Sequence, residues 1–275
     1  MGDARPFTPE ALAERPKLAL LDLFSGIGGF SLGLERTGGF RTVAFCEIEP
    51  YPRRVLAKHW PGVPIYEDVR TLTGDTLARD GIAVDAICGG FPCQDVSSAG
   101  PGTGLAGARS GLWSEYARLI EEVSPKFVLI ENSAFLRGRG LGDVLRRLDA
   151  LGYNAEWNCI PAASVGAPHE RDRVWIVAAH AASIGCGQGW SRRFADGLSG
   201  IPDTPRWNPA NTDREPAIGP AISWRECAAW PDEPALLGVG DGVPDRMDRV
   251  RALGNAVVPL IPELLGRAII AAEKS

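Results

Sequence analysis

Residues 18–30 read Leu-Ala-Leu-Leu-Asp-Leu-Phe-Ser-Gly-Ile-Gly-Gly-Phe, an apolar run that passes directly into a glycine-rich loop. A short, nearly continuous apolar run is typical of a strand that is buried on both faces. The glycines that follow allow a sharp turn and let a ligand lie against bare main chain. Counting from Gly26, Ser31 takes the place of the third glycine of a dinucleotide fingerprint. The loop therefore suits a nucleoside ligand better than a pyrophosphate.

The same alternation of apolar runs and mixed segments continues to about His180. Further apolar runs are Thr42–Ile48, Val84–Cys88, Phe127–Ile130 and Val174–Ala179, and helical segments are predicted at Tyr51–Trp60, Leu112–Val123 and Leu141–Leu151. Continuous apolar runs favour parallel strands, and alternation of strands with helices favours an α/β fold. The sequence therefore predicts a doubly wound, Rossmann-like sheet.

The composition of the chain changes after Ala181. The segment that follows is rich in glycine and proline, yet it holds Trp190, Trp207, Trp224 and Trp230, half of the eight tryptophans. Linkers rarely contain so many aromatic residues. We therefore predict a catalytic domain at 1–180, a small loop-rich lobe at 181–245 and a C-terminal segment at 246–275 that returns to the catalytic domain with a helix at Val257–Ala272.

Composition and charge exclude several classes of protein. The chain has 275 residues and a net charge of −5, which disfavours binding to nucleic acid by bulk charge alone. Apolar runs stay below the roughly 18 residues of a membrane span, and the N-terminus lacks a secretory signal, so we expect a cytoplasmic protein without a membrane partner. The six cysteines form no C-x-x-C pair and the three histidines no H-E-x-x-H pattern, so no metal site is expected.

Two carboxylates follow the glycine loop at informative positions. Glu47 ends the second apolar run, 21 residues after Gly26, where a carboxylate can accept hydrogen bonds from ribose hydroxyls. Asp68 follows a further short extended segment and is placed to bind an adenine amino group. A loop with a purely structural turn remains the alternative for the glycines alone, and the two carboxylates argue against it.

Cys93 is the first candidate for a catalytic group. It lies in Gly-Gly-Phe-Pro-Cys-Gln, residues 89–94, behind the apolar run Val84–Cys88. A cysteine on a stiff turn is exposed, and it becomes a nucleophile when nearby positive charge favours the thiolate. The segment Val96–Gly111 contains Arg109 and no acidic residue, which is typical of a mobile, cationic flap. The other cysteines are interpreted as inert.

Glu131 and a pair of arginines complete the candidate set. Glu131 closes the apolar run Phe127–Ile130, and a desolvated carboxyl group there has a raised pKa and can serve as an acid. Arg171 and Arg173 are two residues apart at the start of a strand, so they point the same way and can hold an anion or a carbonyl oxygen. A helix cap for Glu131 and surface ion pairs for the arginines remain alternatives.

In this order, these stretches resemble the DNA cytosine-5 methyltransferase family. The family's F-x-G-x-G-G loop corresponds to residues 24–29, its G-F-P-C-Q loop to 90–94, its E-N-V to 131–133, its Q-x-R-x-R to 169–173 and its G-N-[SA]-V to 254–257. The resemblance covers residues 18 to about 180 and resumes at Arg251. It implies an S-adenosylmethionine-dependent methyltransferase domain.

The resemblance also implies a role for each matching residue. S-adenosylmethionine would contact Phe24, Gly26, Ile27 and Gly29 in the loop, Glu47 at the ribose, Ile48, Asp68 and Val69 at the adenine, and Pro92, Asn255 and Val257 at the methionine end. Cys93 would attack C6 of a cytosine that is flipped out of double-stranded DNA. Glu131 would stabilise ring N3, Arg173 would hold the carbonyl oxygen O2, and Arg171 would support the loop.

The sequence departs from the family pattern in three places. His169 stands where the family has Gln and Ser133 where it has Val. The family's segment R-x-L-T-x-x-E-x-x-R-L-Q-G-F-P has no clear copy before the tail. The lobe that would bind the target sequence is short, and residues 181–251 hold eight arginines against ten acidic residues. We therefore expect weak, salt-sensitive binding to nonspecific duplex DNA, carried by a few directed arginines.

Three alternatives have different discriminating features. The first alternative is the same chemistry on tRNA. The lobe decides between the two substrates, and side-by-side assays on DNA and tRNA distinguish them. A catalytically silent DNA-binding relative would have lost Cys93, Glu131 or Arg173, and all three are present. A nicotinamide-dependent oxidoreductase disagrees with the glycine spacing. The expected setting is a bacterial or phage-encoded monomer that serves in restriction–modification or host protection.

Overall fold

The computed structural model describes residues 16–92, 111–167, 169–183, 190–199 and 246–273. The strands in these ranges are β1 Leu18–Leu23, β2 Phe40–Cys46, β3 Ile65–Tyr66, β4 Ala86–Gly89, β5 Phe127–Ser133, β6 Tyr153–Pro161 and β7 Asp172–His180. The helices are α1 Gly29–Arg36, α2 Pro50–His59, α3 Gly74–Arg79, α4 Gly111–Val123, α5 Leu136–Arg139, α6 Leu141–Ala150, α7 Trp190–Ser199, α8 Arg246–Asn255 and α9 Leu260–Glu273. A short 3₁₀ helix covers Ala162–Val165.

The strands form one seven-stranded sheet in the order β3-β2-β1-β4-β5-β7-β6. Strands β1 to β5 are parallel to one another, and β7 is antiparallel to both β5 and β6. The predicted α/β, Rossmann-like class is confirmed. The prediction that Val174–Ala179 is a parallel strand is wrong, because only about ten residues join β6 to β7 and a parallel connection needs a longer crossover.

Strand β6 was not predicted from the sequence. Its apolar residues Tyr153, Ala155, Trp157 and Cys159 alternate with polar ones, whereas the other strands are nearly continuous apolar runs. Alternation with period two is the pattern of an edge strand that is only half buried. The signal was therefore present, but it differed from the pattern of the central strands.

Helices cover both faces of the sheet. On one face, Leu21 and Val128 pack against Tyr116 and Ile120 of α4 and Val144 of α6. On the other face, apolar residues of the sheet pack against α1, α7 and α9; they include Leu20, Phe127, Leu129, Phe30, Leu34, Trp190, Phe194, Leu265 and Ile269. This three-layer arrangement leaves the ends of the parallel strands open at one edge, where ligands bind in such sheets.

Helix α7 lies in the segment that was predicted as a second lobe. Its Trp190 stacks against Phe194 and packs on Phe127 of the central sheet, and both α7 rings are buried. The helix therefore belongs to the same core as the sheet. Residues 200–245 lie outside the described residues, and a lobe in that segment stays a prediction.

The C-terminal helix α9 packs against the sheet, and the predicted division of the chain into domains stays a prediction. Within the described residues, Arg251–Glu273 is long and apolar enough to cross a membrane by length and composition. Helix α9 itself has 14 residues and buries Ile261, Leu265 and Ile269 in the core cluster. This packing is that of a core helix.

Candidate active site

A cavity of about 980 Å³ opens where the parallel strands end. Most of the predicted site residues line it, namely Phe24, Gly26, Glu47, Ile48, Asp68, Val69, Pro92, Glu131, Arg171, Arg173 and Asn255. These residues come from strand ends, loops and the C-terminal segment, which are far apart along the chain. The structure therefore brings together in one cavity side chains that the sequence could only identify separately.

Glu47 is held at one end of the cavity by backbone amides. The N–H of Gly26 donates to Oε2 of Glu47 at 2.7 Å, and the N–H of Glu49 donates to Oε1 at 2.8 Å. The residue is only 7% exposed. Each carboxylate oxygen can accept more than one hydrogen bond, so the fixed group retains capacity for donors in the cavity.

Asp68 lies on the neighbouring loop and pairs with Arg70. The guanidinium of Arg70 donates from Nε to Oδ1 at 2.9 Å and from Nη2 to Oδ2 at 2.6 Å. These bonds hold the pKa of Asp68 below its usual value, so the carboxylate stays an acceptor. Ile48, 58% exposed, offers an apolar surface at the same end of the cavity.

Two residues that line the cavity have strained backbone. Phe24 has φ of 53° and Arg171 has φ of 36°, in a region that residues with a side chain rarely adopt. Strain of this kind persists only where the surrounding structure imposes it, and it concentrates at functional sites. The loop after β1 and the turn before β7 are therefore both held in demanding conformations beside the same cavity.

The opposite end of the cavity contains a partly buried ion pair. Nε of Arg173 lies 2.8 Å from Oε1 of Glu131, and the two side chains are 27% and 12% exposed. In the antiparallel register, Glu131 faces Trp175 and Ser133 faces Arg173, so the pair is a diagonal contact between β5 and β7. Burial raises the pKa of Glu131, and the charges of Arg173 and Arg171 lower it, with burial the larger effect.

The chain that leads to Cys93 passes close to Glu131. A Cβ atom on Gly90 would lie 2.7 Å from Oε2 of Glu131, so only glycine permits this approach without a shift. Nδ2 of Asn132 donates to the carbonyl oxygen of Phe91 at 2.9 Å. Cys93 itself and the predicted flap at residues 96–110 lie outside the described residues.

Three predicted cofactor contacts, Ile27, Gly29 and Val257, are not among the described residues that line the cavity. A Cβ atom on Gly29 would lie 2.4 Å from the carbonyl oxygen of Val257. The structure thus gives Gly29 and Val257 a packing role that joins the loop to the tail. Their direct contact with a ligand stays a prediction.

Sequence reasoning missed several residues of the site. Nη2 of Arg251 lies 3.0 Å from Oε1 of Glu49, and Asp248 and Arg251 of α8 line the cavity. Arg171 also donates to the carbonyl oxygen of Gly254. The pair Arg251–Glu49 is separated by 202 positions, so no local pattern could have indicated it.

Among the described residues, no group of three or more His, Cys, Asp or Glu side chains is arranged to hold a metal ion. The polar groups of the cavity instead comprise carboxylates at one end and a carboxyl–guanidinium pair at the other. This set suits hydrogen bonding to a nucleoside and to a polar ring.

Comparisons with known proteins show the family to which the chain belongs. The sequence profile of the C-5 cytosine-specific DNA methylase family matches residues 18–192, more than half of the chain. The chain belongs to this family. It is 37% identical over 169 residues to the type II methyltransferase M2.BsuMI of Bacillus subtilis (58% of this chain, 42% of that protein). It is 36% identical over 159 residues to the type II methyltransferase M.CviJI of Paramecium bursaria Chlorella virus IL3A (58% and 42%).

The chain thus spans less than half the length of these curated relatives. Among solved structures, it resembles a prophage-encoded E. coli protein assigned as a DNA modification methyltransferase, with a TM-score of 0.61, 19% identity and coverage of 94% of this chain and 100% of that one. Dnmt2 methyltransferase of S. pombe gives a TM-score of 0.52 at 20% identity, over 64% and 55% of the two chains. These likenesses show the fold.

Proposed function

We propose that the protein is a DNA cytosine-5 methyltransferase that uses S-adenosylmethionine. The observation that carries the proposal is the partly buried pair of Glu131 and Arg173, which faces the same cavity as Glu47 and Asp68. One end of this cavity suits a nucleoside and the other suits a polar ring. Membership of the family and the type II methyltransferase relatives support the same reaction.

The residues of the first end fit S-adenosylmethionine. Glu47 is a buried carboxylate oriented by two amides, and a Cβ atom on Gly26 would meet nothing within 4 Å, so the loop leaves open space. Glu47 would accept from the ribose hydroxyls, Asp68 would accept from the adenine amino group, and Phe24 and Ile48 would contact the ring. When bound, the cofactor supplies an electrophilic methyl group on a sulfonium centre.

The residues of the second end would activate the cytosine. C5 of cytosine is an inert aromatic carbon, so the Cys93 sulfur first forms a bond to C6 and pushes the ring electrons toward N3 and O2. Glu131, whose pKa is raised by burial, holds a proton at N3, and Arg173 stabilises O2. C5 then becomes nucleophilic. Transfer of the C5 proton to water and departure of the Cys93 sulfur as a thiolate restore the ring after methylation.

The cavity requires the target base to leave the helix. Glu131 is only 12% exposed at the side chain, so a base stacked in a duplex cannot reach it. Flipping the nucleotide out of the duplex costs a few kcal/mol, because base stacking and base pairing are lost. A monomeric, cytoplasmic enzyme of a restriction–modification, phage or host-protection system belongs to the same proposal.

The decisive experiment compares methyl transfer to two nucleic acids. Purified protein and a Cys93→Ser control are incubated with S-adenosylmethionine labelled in the methyl group and with either duplex DNA or tRNA. We expect label in DNA with the wild type and none with Cys93→Ser. Transfer to tRNA alone would show that the substrate is RNA and not DNA. Binding of DNA without any methyl transfer would identify a catalytically silent relative.

Bisulfite sequencing then identifies the target. Plasmid from cells that express the wild type is compared with plasmid from cells that express Cys93→Ser. Protected cytosines at one repeated sequence in the wild type alone are the expected result. Protection in both samples, or at random cytosines, would contradict a sequence-specific cytosine methyltransferase.

A further inference from the structure

Arg118 of helix α4 ties that helix to the loop that carries Asp68. Nη2 of Arg118 donates to the carbonyl oxygen of Val69 at 3.0 Å and to that of Leu72 at 2.9 Å. Both carbonyls belong to the segment between β3 and α3. The arginine therefore contacts the main chain of the predicted adenine-binding loop, although it does not line the cavity.

Two glutamates of the same helix hold the guanidinium in place. Nε donates to Glu115 at 2.7 Å, and Nη1 donates to Glu122 at 2.8 Å. The side chain of Arg118 is 29% exposed, so these bonds are partly shielded from water. All three nitrogens of the planar guanidinium are thus engaged, in a pattern that the single ammonium of lysine cannot reproduce.

The loop between β3 and α3 has further anchors: Arg53 pairs with Glu67, and the side chains of Val69 and Leu72 are buried in the core cluster. Strand β3 has only two residues, and it pairs with β2 at only those two positions. The amides of Thr71 and Leu72 donate back to the carbonyl of Asp68, which makes a local turn but does not attach the loop to the sheet. Oε2 of Glu122 accepts from the N–H of Gly74 at 2.8 Å. Arg118 and Glu122 of α4 therefore add polar bonds that attach this loop, beside the burial of Val69 and Leu72.

The helix that supplies these bonds also faces the cavity. Glu115 of α4 lines it about one turn from Arg118, and Leu112 lines it nearly two turns away. Val69 is 4% exposed on the loop side. Asp68 thus lies on a loop whose carbonyls are bonded from α4, and it lines the same cavity as Glu47. A displaced loop would misplace the acceptor for the adenine amino group without altering Glu131 or Arg173.

We propose that Arg118 is a positioning residue for the cofactor: by binding the carbonyls of Val69 and Leu72, it fixes the Asp68 loop and sets the affinity for the adenine end of S-adenosylmethionine. This inference rests on the proposed function. It predicts an effect on binding of the cofactor, while turnover at saturating cofactor keeps its value, since Arg118 touches neither the cofactor nor the reacting base.

The test measures cofactor affinity directly. Isothermal titration of wild type, Arg118→Gln and Arg118→Lys with S-adenosylmethionine gives Kd, and methyl transfer gives kcat and KM. We expect Kd and KM to rise about tenfold in Arg118→Gln, the size of one charged hydrogen bond, and severalfold in Arg118→Lys. The kcat value at saturating cofactor should stay within about twofold of wild type.

Arg147→Gln is the matched control. Arg147 also ties a neighbouring helix to α4, through Glu121 at 2.6 Å, but neither side chain lines the cavity. Its Kd should equal that of the wild type, and the thermal midpoint of each free protein reports general stability. If Arg118→Gln does not fold, Arg118→Lys and Glu122→Gln decide the question by the same titration.

The outcomes separate the two proposals. A wild-type protein that binds no S-adenosylmethionine would contradict the proposed function. If the wild type binds S-adenosylmethionine and the folded Arg118 variants bind it with the same Kd, only the proposed role of Arg118 is overturned. An equal rise of Kd in Arg147→Gln would also overturn it, because the effect would then follow general loosening of α4.

Discussion

The two ends of the cavity place carboxyl groups in opposite environments. Asp68 sits in a partly exposed pair with Arg70 that lowers its pKa, and its side chain is 24% exposed. Glu131 sits in a pair with Arg173, yet burial raises its pKa. Asp68 stays ionised near neutral pH, while the environment of Glu131 favours the proton more strongly.

This difference separates two roles within one cavity. A carboxylate that stays ionised is a permanent acceptor, which suits recognition of amino and hydroxyl groups. A carboxyl group with a raised pKa can hold a proton for a reacting atom. Changes at the nucleoside end should therefore alter binding, and changes at the Glu131 end should alter turnover.

The largest effect is expected for Glu131→Gln. The amide removes the titratable proton and the charge that faces Arg173, so turnover at saturating cofactor should fall by about 100-fold or more. The Kd for S-adenosylmethionine should not change, because Glu47 and Asp68 are untouched. Labelled methyl transfer and calorimetric titration measure the two quantities.

Glu121→Gln is the control for that variant, since Glu121 is exposed and pairs only with Arg147 in the described contacts. It should keep the wild-type turnover. Near-normal turnover of Glu131→Gln would contradict the assignment of the proton-holding role to this end of the cavity.

The next effect is expected for Glu47→Gln. The amide cannot accept from both Gly26 and Glu49, so the loop loses a bond and the ribose hydroxyls lose an acceptor. Kd for S-adenosylmethionine should rise roughly 10- to 100-fold, while kcat stays within a few-fold. Asp143→Asn on the surface of α6 should leave both values unchanged. A loss of kcat without a change in Kd would remove the distinction between the two ends.

Asp22 sharpens the comparison, because it is fully buried beneath the loop. Its Oδ2 accepts from the hydroxyl of Ser31 at 2.7 Å, and burial raises the pKa of Asp22 to about 7, against hydrogen bonds from Ser31 and Cys88 that lower it. In the unfolded chain, the pKa of the Asp22 carboxyl group is the ordinary value of 3.8. Between these values the folded state binds more protons, so the free energy of unfolding falls as pH rises.

Asp22→Asn removes this titration. Relative to the variant, the wild type should lose roughly 2 kcal/mol of stability between pH 5 and pH 7.5. Denaturant unfolding at several pH values measures the difference. A constant difference across that range would show that Asp22 has an ordinary pKa in the folded protein.

The smallest effect is expected for Arg251→Ala. The pair with Glu49 spans the cavity mouth, but its side chains are 67% and 45% exposed. Pairs in such positions contribute about 0–1 kcal/mol. KM for the cofactor should change no more than about twofold, and a larger change would mean that α8 holds the cavity more firmly than an exposed pair allows.

Local sequence predicted the central part of the fold well. The runs at Leu18–Phe24, Thr42–Ile48 and Phe127–Ile130 became β1, β2 and β5 with shifts of a few residues, because a strand buried on both faces needs a continuous apolar run. The helix predicted at Leu112–Val123 also formed, since its apolar residues share one face.

The antiparallel edge was harder to predict. Direction depends on how the chain returns between β6 and β7, which is a matter of connection length and pairing, and β6 has the mixed pattern of an edge strand. The contacts of Arg118 with Val69 and Leu72 were also beyond sequence reasoning, because a guanidinium that binds backbone carbonyls leaves no pattern at the positions it contacts.

The amino-acid sequence alone determined the chemical inventory and its order: a glycine loop, two carboxylates, a cysteine turn, an acid and paired arginines, each beside a predicted strand. Those features are local, since a strand and its following loop are encoded by neighbouring residues. Only the tertiary structure decided that Glu131 and Arg173 meet across β5 and β7, that Asp68 is held from α4 and that the tail closes on Glu49 and Arg171. These contacts join residues far apart in the chain, and their geometry follows from packing of the whole sheet.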